Sequence, residues 1–277
     1  MTNLNLTPSD EAKQRVATVF NTMAATYDTL RYVRVCAQRL IELAPLAPGA
    51  RVLDIATGTG LVAMVAAEIV GPTGSVTGID IAPEMLALAR KKHPEGELAP
   101  VDFREGDAER LDFPDQSFDI VLCASSLFFV PNMMAALREA RRVLVPGGYI
   151  GFSSFGSSFL YPLQGLWNAH IQRYGIKVVP PPTHRLADPM KCQQMLSETG
   201  FAQIEVRSEQ LGYYLPTVED RWAEILASQE GVLLRQIDPS KCEQFKADHL
   251  AELAAFTTPQ GIWVDVPAHF AFGWRPS

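Results

Sequence analysis

The sequence predicts an α/β fold: a doubly wound, mostly parallel sheet with N-terminal helices and a helical cap insertion. Three observations predict it. Strand-like and helix-like runs alternate from Arg51 to Ser154. An apolar run from Val52 ends in Asp54 and passes through a loop with alternating glycines, Gly58 and Gly60, into a helical segment. A second strand, Ser75 to Asp80, ends in another carboxylate twenty positions after Gly60.

The elements follow in order. Thr7 reads as an N-cap and Pro8 as the first helical position, with Asp10 and Glu11 in the first turn. This helix is expected to reach about Tyr27. A second covers about Tyr32 to Leu43 and stops before Pro45. Both are expected over the ligand edge of the sheet. Leu61 to Val70 is the helix after the glycine loop. The stretch Phe103 to Asp119 follows a third strand, with Asp107 at the strand end. Ser117 to Ser125 reads as a fourth, buried strand. Glu139 to Tyr149 closes a helix with Pro-Gly-Gly and enters a fifth.

After Ser154 the alternation breaks. Phe155 to Pro189 is rich in Gly, Ser and aromatic residues and contains Val179-Pro-Pro-Pro182, a stiff extended run. Leu160, Leu163, Leu166, Trp167 and Ile171 can share one face of a helix near 160–172. A helix from Pro189 to Thr199 ends at Gly200, and Ala202 to Leu215 alternates like one strand. Thr217 caps a helix containing Trp222 and Ile225, and another follows Asp238-Pro239. Ile262 to Phe272 reads as a last strand that Pro267 demotes towards an edge or bulge. The division expected is 1–45 helical lid, 46–155 core, 156–200 cap and substrate wall, and 201–277 remainder of the sheet with helical insertions.

Composition narrows the function. The 277 residues are 47% hydrophobic, enough for one large core with a cap. A net charge of −7 and the lack of basic runs argue against nucleic acid as a partner. No apolar run is long enough to span a membrane, so no stable membrane insertion is expected. The first six residues lack a secretory pattern, and Cys36, Cys123, Cys192 and Cys242 are far apart. Together these point to a cytoplasmic protein with reduced thiols. No clustered His and Cys ligands appear, so no metal is expected. Oligomeric state is not legible.

The paired strand-end acids and glycine loop suit a nucleoside. Gly58-Thr-Gly-Leu-Val-Ala63 meets the permissive dinucleotide pattern, so an NAD(P)-dependent oxidoreductase is one reading. Asp54 opposes it. At the mouth of the loop its carboxylate would face a pyrophosphate, and like charges in a partly buried site repel strongly. A cationic ligand without phosphate, S-adenosylmethionine (SAM), fits better. Asp107 could accept from an exocyclic amine such as adenine N6.

Five motifs then carry a resemblance. LDIATGTG (Leu53 to Gly60), GID (Gly78 to Asp80), EGDAERLDFPDQSFD (Glu105 to Asp119) and ALREARRVLVPGG (Ala136 to Gly148) follow Val19 to Asp28 in the expected order. The chain resembles a class I SAM-dependent methyltransferase, in the group that includes the quinone-biosynthesis C-methyltransferases, over about residues 15–155. That resemblance implies a seven-stranded Rossmann-like sheet. It also implies that Asp54, Ala56, Gly58, Thr59 and Gly60 line the methionine and ribose side of SAM. Asp80 would pair with the ribose hydroxyls, and Ile81 and Met85 would cover the adenine. Asp107 and Ala108 would meet its edge, Ser125 would lie near the methionine, and Tyr27 would close over the cofactor. The chain departs from the group after the fourth strand. Ser126-Leu-Phe-Phe129 replaces a Gly-Leu-Arg-Asn-like run, which favours an apolar or aromatic small-molecule acceptor.

Phe128, Phe129, Phe155, Tyr161 and Trp167 are the expected acceptor wall, with Phe152 and Phe159 near it. Bland readings stand beside these: Asp80 and Asp107 as helix caps, Tyr27 as packing, Phe128 and Phe129 as core. Methyl transfer would be an in-line displacement, with a base needed only if the acceptor must lose a proton. His170 and His184 are the candidates, with Tyr161 and Tyr174 behind them; packing is the competing role. Without a clear base, a non-catalytic SAM-binding module is a third reading.

Overall fold

The computed structural model describes residues 7–92, 99–179 and 181–277. The reading of the first six residues, and Pro180 of the proline run, lie outside the described residues.

Helices α1 (Pro8–Met23) and α2 (Arg31–Leu43) come first. The start of α1 is a capping box: Thr7 Oγ1 accepts from the Asp10 N–H, and Asp10 accepts from the Thr7 N–H. The helix stops at Met23, short of the expected Tyr27, and a 3-10 turn at Tyr27–Thr29 aims the chain back towards the sheet. Then β1 (Arg51–Ile55), α3 (Leu61–Val70), β2 (Ser75–Asp80), α4 (Pro83–Lys92), β3 (Val101–Glu105) and β4 (Phe118–Cys123) alternate. Helix α5 (Met133–Val143) leads into β5 (Leu144–Phe155). Pro-Gly-Gly does not close α5, as the sequence suggested. The helix ends at Val143, and the glycines fall inside the strand span at a register shift between Phe118↔Leu144 and Ile120↔Tyr149. Gly147 there has φ +76°, and its N–H donates to the Arg275 carbonyl.

Beyond β5 lie α6 (Leu163–Arg173), α7 (Pro189–Glu198), β6 (Ala202–Gln210), β7 (Tyr213–Leu215), α8 (Val218–Ala227), α9 (Gln229–Leu234), α10 (Cys242–Ala254), β8 (Thr257–Thr258), β9 (Gly261–Val264) and β10 (Pro267–Trp274). The main sheet has seven strands in the order β3-β2-β1-β4-β5-β10-β6. Strands β1 to β5 pair in parallel, and β10 runs antiparallel between β5 and β6. A second, antiparallel sheet is ordered β7-β9-β8.

Two long readings split. Ala202 to Leu215 is two strands in different sheets, and so is Ile262 to Phe272. Strand β10 is interior, not an edge. Pro267 is tolerated because it occupies the strand's first position. Helix α9 was missed, although Ser228 marks its start: the serine Oγ accepts from the Glu230 N–H as an N-cap.

The core runs through the sheet. Val52, Leu53, Val121, Leu122 and Phe152 lose nearly all contact with water. Helix α3 presents Ala63, Ala66, Ala67 and Val70, small enough to bring its backbone close to β1 and β2. A separate cluster of Trp167, Ile171, Ile225, Ile237 and Phe245 builds the cap from α6, α8 and α10. The chain reverses its order between β1 and β4, the switch point where open α/β sheets bind ligands.

Candidate active site

At that switch point three hollows meet. The first, about 680 Å³, lies over the ends of β1, β2 and β3 and includes Ile79, Asp80, Ile81, Met85, Gly106, Asp107 and Ala108. The second, about 1110 Å³, is an aromatic cavity between the sheet and the cap. The third is a small cleft of about 340 Å³ with Asp54, Ala56, Gly58 and Ser125 in its wall. Tyr27 belongs to the wall of all three, and Phe20 and Phe129 to the first two.

The backbone is bent to make this junction. Ala56 and Ser125 follow β1 and β4 at φ 55° and 48°, a region that costs a residue with a Cβ. Such strain persists where the surroundings over-determine it, and Ser125 is held by its N–H to Ser153 Oγ at 2.9 Å.

Asp80 ends β2 with both oxygens committed. Oδ2 accepts from the Gly58 N–H at 2.8 Å, and Oδ1 from the Ala82 N–H at 2.9 Å. The carboxylate therefore locks the glycine loop to the next strand. Burial pushes its pKa up, and these N–H groups hold it down. Asp54 is not at the mouth of the loop as expected. It lies beneath it, 1% exposed, with Oδ2 accepting from Thr57 Oγ1 at 2.6 Å. Asp54 is the fourth of β1's five residues, in the strand's buried stretch, and it borders the cleft. Burial pushes its pKa up to about 7, against the Thr57 hydrogen bond. The Tyr27 hydroxyl's pKa is raised by burial and then by the Asp80 charge.

Thr59 and Gly60 do not reach the hollows. Thr59 donates to Asp28, which also pairs with Lys92. Gly60, at φ +84°, turns the chain into α3 and faces Phe103 and Met64. A carboxylate thus already sits by the start of α3, where a dinucleotide would bring its pyrophosphate.

Asp107 lies on the first hollow but is not free. Its Oδ2 accepts from Lys13 Nζ at 2.7 Å, and Glu109 pairs with the same ammonium at 2.8 Å. For Lys13, burial works downward on the pKa, and the two acids outweigh it so that the net shift is up. Lys13, Val16 and Phe20 were missed. Their spacing along α1 puts them on one face, a signal the sequence did carry.

Phe128, Phe129, Phe155, Phe159 and Trp167 do line the aromatic cavity, whereas Phe152 is buried in the core outside it; Tyr32 and Glu230 also line it, and sequence reasoning missed them. Phe155 stacks on Phe159 at 3.8 Å between centroids, and Phe129 meets Phe20 edge-on at 5.1 Å. Arg185 holds this wall in place. Its guanidinium donates to the carbonyls of Phe128, Val130 and Pro131 at 2.8–2.9 Å. Tyr161 is 66% exposed and outside the cavity, because α6 begins only at Leu163.

Neither histidine candidate faces the hollows. His184 is exposed with Nδ1 at 3.0 Å from the Pro181 carbonyl. His170 is 1% exposed inside the cap, between Glu252 and the Phe245 carbonyl. No His cluster is legible along the chain, yet folding brings ligand atoms of His170, His249 and Glu252 within 4.8 Å of one another. Arg173 donates to both His170 and Glu252, so a cation already neutralises that acid. Tyr174 belongs to the same cap surface, not to the cavity.

The fold and the junction define a nucleoside-binding α/β domain whose phosphate position is taken by acids. The comparisons with known proteins agree. A methyltransferase domain model matches residues 53–152. The ubiquinone/menaquinone biosynthesis C-methyltransferase UbiE of Ectopseudomonas oleovorans is 40% identical over 148 residues, covering 51% of this chain and 87% of that protein. Its namesake in Ectopseudomonas mendocina (strain ymp) is 41% identical over 163 residues, 55% of this chain and 64% of that protein. The aklanonic acid methyltransferase DauC of Streptomyces sp. (strain C5) is 39% identical over 144 residues, 51% of this chain and 66% of that protein. The chain thus spans a little under two thirds of the length of the Ectopseudomonas mendocina and Streptomyces relatives.

Among solved structures, YcgJ of Bacillus subtilis superposes with TM-score 0.58 at 24% identity over 88% of this chain and 99% of that one. The phosphoethanolamine N-methyltransferase 2 of Haemonchus contortus, solved with S-adenosylhomocysteine, gives 0.55 at 18% identity over 98% and 61%. This chain belongs to the class I SAM-dependent methyltransferases. The [4+2]-cyclase SpnF shares the fold with TM-score 0.52 at 20% identity over 88% and 81%, so fold alone does not fix the reaction.

Proposed function

We propose that this chain transfers the methyl group of SAM to a small, apolar or aromatic acceptor by in-line displacement. The observation that carries the reading is the meeting of three hollows at Tyr27. The first suits the adenosine, with Asp80 beside the ribose hydroxyls, Ile81 and Met85 against the adenine, and Asp107 and Ala108 at its edge. The cleft of Asp54, Ala56, Gly58 and Ser125 suits the cationic methionine end. The aromatic cavity of Phe128, Phe129, Phe155 and Trp167 suits the acceptor. A methyl at the junction would then point from one occupant to the other.

SAM supplies the electrophile, a sulfonium with a good leaving group. The chain's own residues align, enclose and dry the site. Residues up to 45 act as a lid on the cofactor, 46–155 as its cradle, and 156–200 as the acceptor wall, with α9 contributing from the remainder. The bias towards an apolar acceptor rests on Phe128-Phe129, where the quinone methyltransferases resembled here carry polar residues. A cytoplasmic location belongs to the same reading; four unpaired cysteines support it.

The test uses SAM labelled in its methyl group and a panel of apolar phenols, quinols, carboxylic acids and amines. Labelled product is expected from an aromatic acceptor. An Asp80→Ala variant is expected to stay folded and lose SAM binding by at least about tenfold. Label that never leaves SAM across the panel contradicts the catalytic reading.

A further inference from the structure

Away from the three hollows, α6 and α10 pack together and bring His170, His249 and Glu252 to one place. His249 and Glu252 are three apart on α10, so they share a face of that helix. His170 and Arg173 are three apart on α6 and meet that face. The Nε2 of His170 lies 3.1 Å from the Phe245 carbonyl, which can only accept, so Nε2 carries the hydrogen and Nδ1 the lone pair. That Nδ1 is 3.1 Å from Glu252 Oε2. Two acceptors so close need a cation beside them, and Arg173 serves as one. His249 is 1% exposed and makes no hydrogen bond among the described residues, and its Nδ1 is closed to water as well. A buried imidazole left unpaired in this way is costly.

We propose that His170, His249 and Glu252 form a zinc site that clamps α6 to α10. Two imidazoles and a carboxylate suit Zn²⁺, whereas Mg²⁺ and Ca²⁺ take oxygen ligands. The Phe245 carbonyl already fixes the tautomer of His170 in the way a metal-bound histidine needs. Bonds of about 2.0–2.1 Å hold tetrahedral ligands about 3.4 Å apart. One ligand atom from each residue lies within 4.8 Å of the others, so the cluster draws in by no more than about 1.4 Å. Water takes the fourth position. Arg173 is the competitor: its side chain is 54% exposed and can swing into solvent as the ion enters. The clamp matters to the cap because α6 also lends Gln164, Trp167 and Asn168 to the wall of the aromatic cavity. The site goes beyond the methyl-transfer reading and does not depend on it.

The experiment titrates Zn²⁺ into the full chain, freed of metal with a chelator, against a chromophoric competitor. Wild type is expected to bind one Zn²⁺ with a Kd below about 1 μM. Co²⁺ in its place should show the intense visible band of a low-symmetry site. Glu252→Gln and His249→Phe should each weaken zinc binding at least about tenfold. Arg173→Gln removes the competing cation and should tighten it about tenfold. Zinc should also slow amide exchange in α6 and α10 of the wild type but not of Glu252→Gln. The Glu252 and Arg173 side chains are partly exposed, so those variants decide the matter should His249→Phe fail to fold. Wild-type binding weaker than about 1 μM overturns the site. Binding that survives Glu252→Gln overturns it too, and would place the ion on surface groups such as His184 or Cys242. Looser binding by Arg173→Gln would contradict the competition and with it the position of the ion.

Discussion

Asp54 is a carboxylate that the fold keeps almost free of water. With its pKa pushed up from 3.8 to about 7, the native chain holds a proton that the unfolded chain has released over that window. Stability contributed by this site therefore falls as pH rises from about 4 to 7 and is level above. Asp54→Asn should raise unfolding stability at pH 7.5 by about 2 kcal/mol, with little gain at pH 4, in denaturant titrations at both values. The same variant should lose SAM affinity, because a cation in the cleft needs the charged form. Wild-type affinity for SAM should rise about tenfold per pH unit between pH 5 and 6.5, measured by calorimetry. A flat profile there would mean that Asp54 does not meet the cation. The sequence pointed to this acid but not to its depth; burial is set by the packing of Tyr27 and α3 around the cleft, which no local pattern encodes.

Among the elements, α1 does most to close the site, through Lys13 on Asp107 and Glu109 and Phe20 on Phe129. Its start depends on the Thr7–Asp10 capping box. Thr7→Ala should cost the helix about 1 kcal/mol. Amide exchange in α1 should speed up several-fold, while the midpoint of global unfolding barely moves. Unchanged exchange would show that packing, not the cap, holds the lid. Elements with strong local signals were legible: Leu61–Val70 and Ser75–Asp80 fall where periodicity and strand-end acids put them. Elements fixed by distant partners were not. Strand β10 is interior because β6 returns beside it, and β7 and β9 leave the main sheet at Gly212 and Asp265 for reasons of tertiary pairing.

At the scale of the whole molecule, the switch point between β1 and β4 was readable because the chain alternates so regularly before Ser154. The acceptor cavity was only half readable. Phe128 and Phe129 were placed by their position after β4, but Glu230 and Tyr32 come from segments far along the chain in each direction. The packing role weighed for the histidines is set at the same distance: α10 covers His170 with Phe245 and Glu252. What unites the molecule is the ring of acids, Asp28, Asp54 and Asp80, around a glycine loop that a dinucleotide would need for its phosphates. Calorimetric titration of the purified chain with SAM, and separately with NADPH, tests this most directly. The account predicts saturable binding of SAM and no binding of NADPH; saturable NADPH binding with no response to SAM would contradict it.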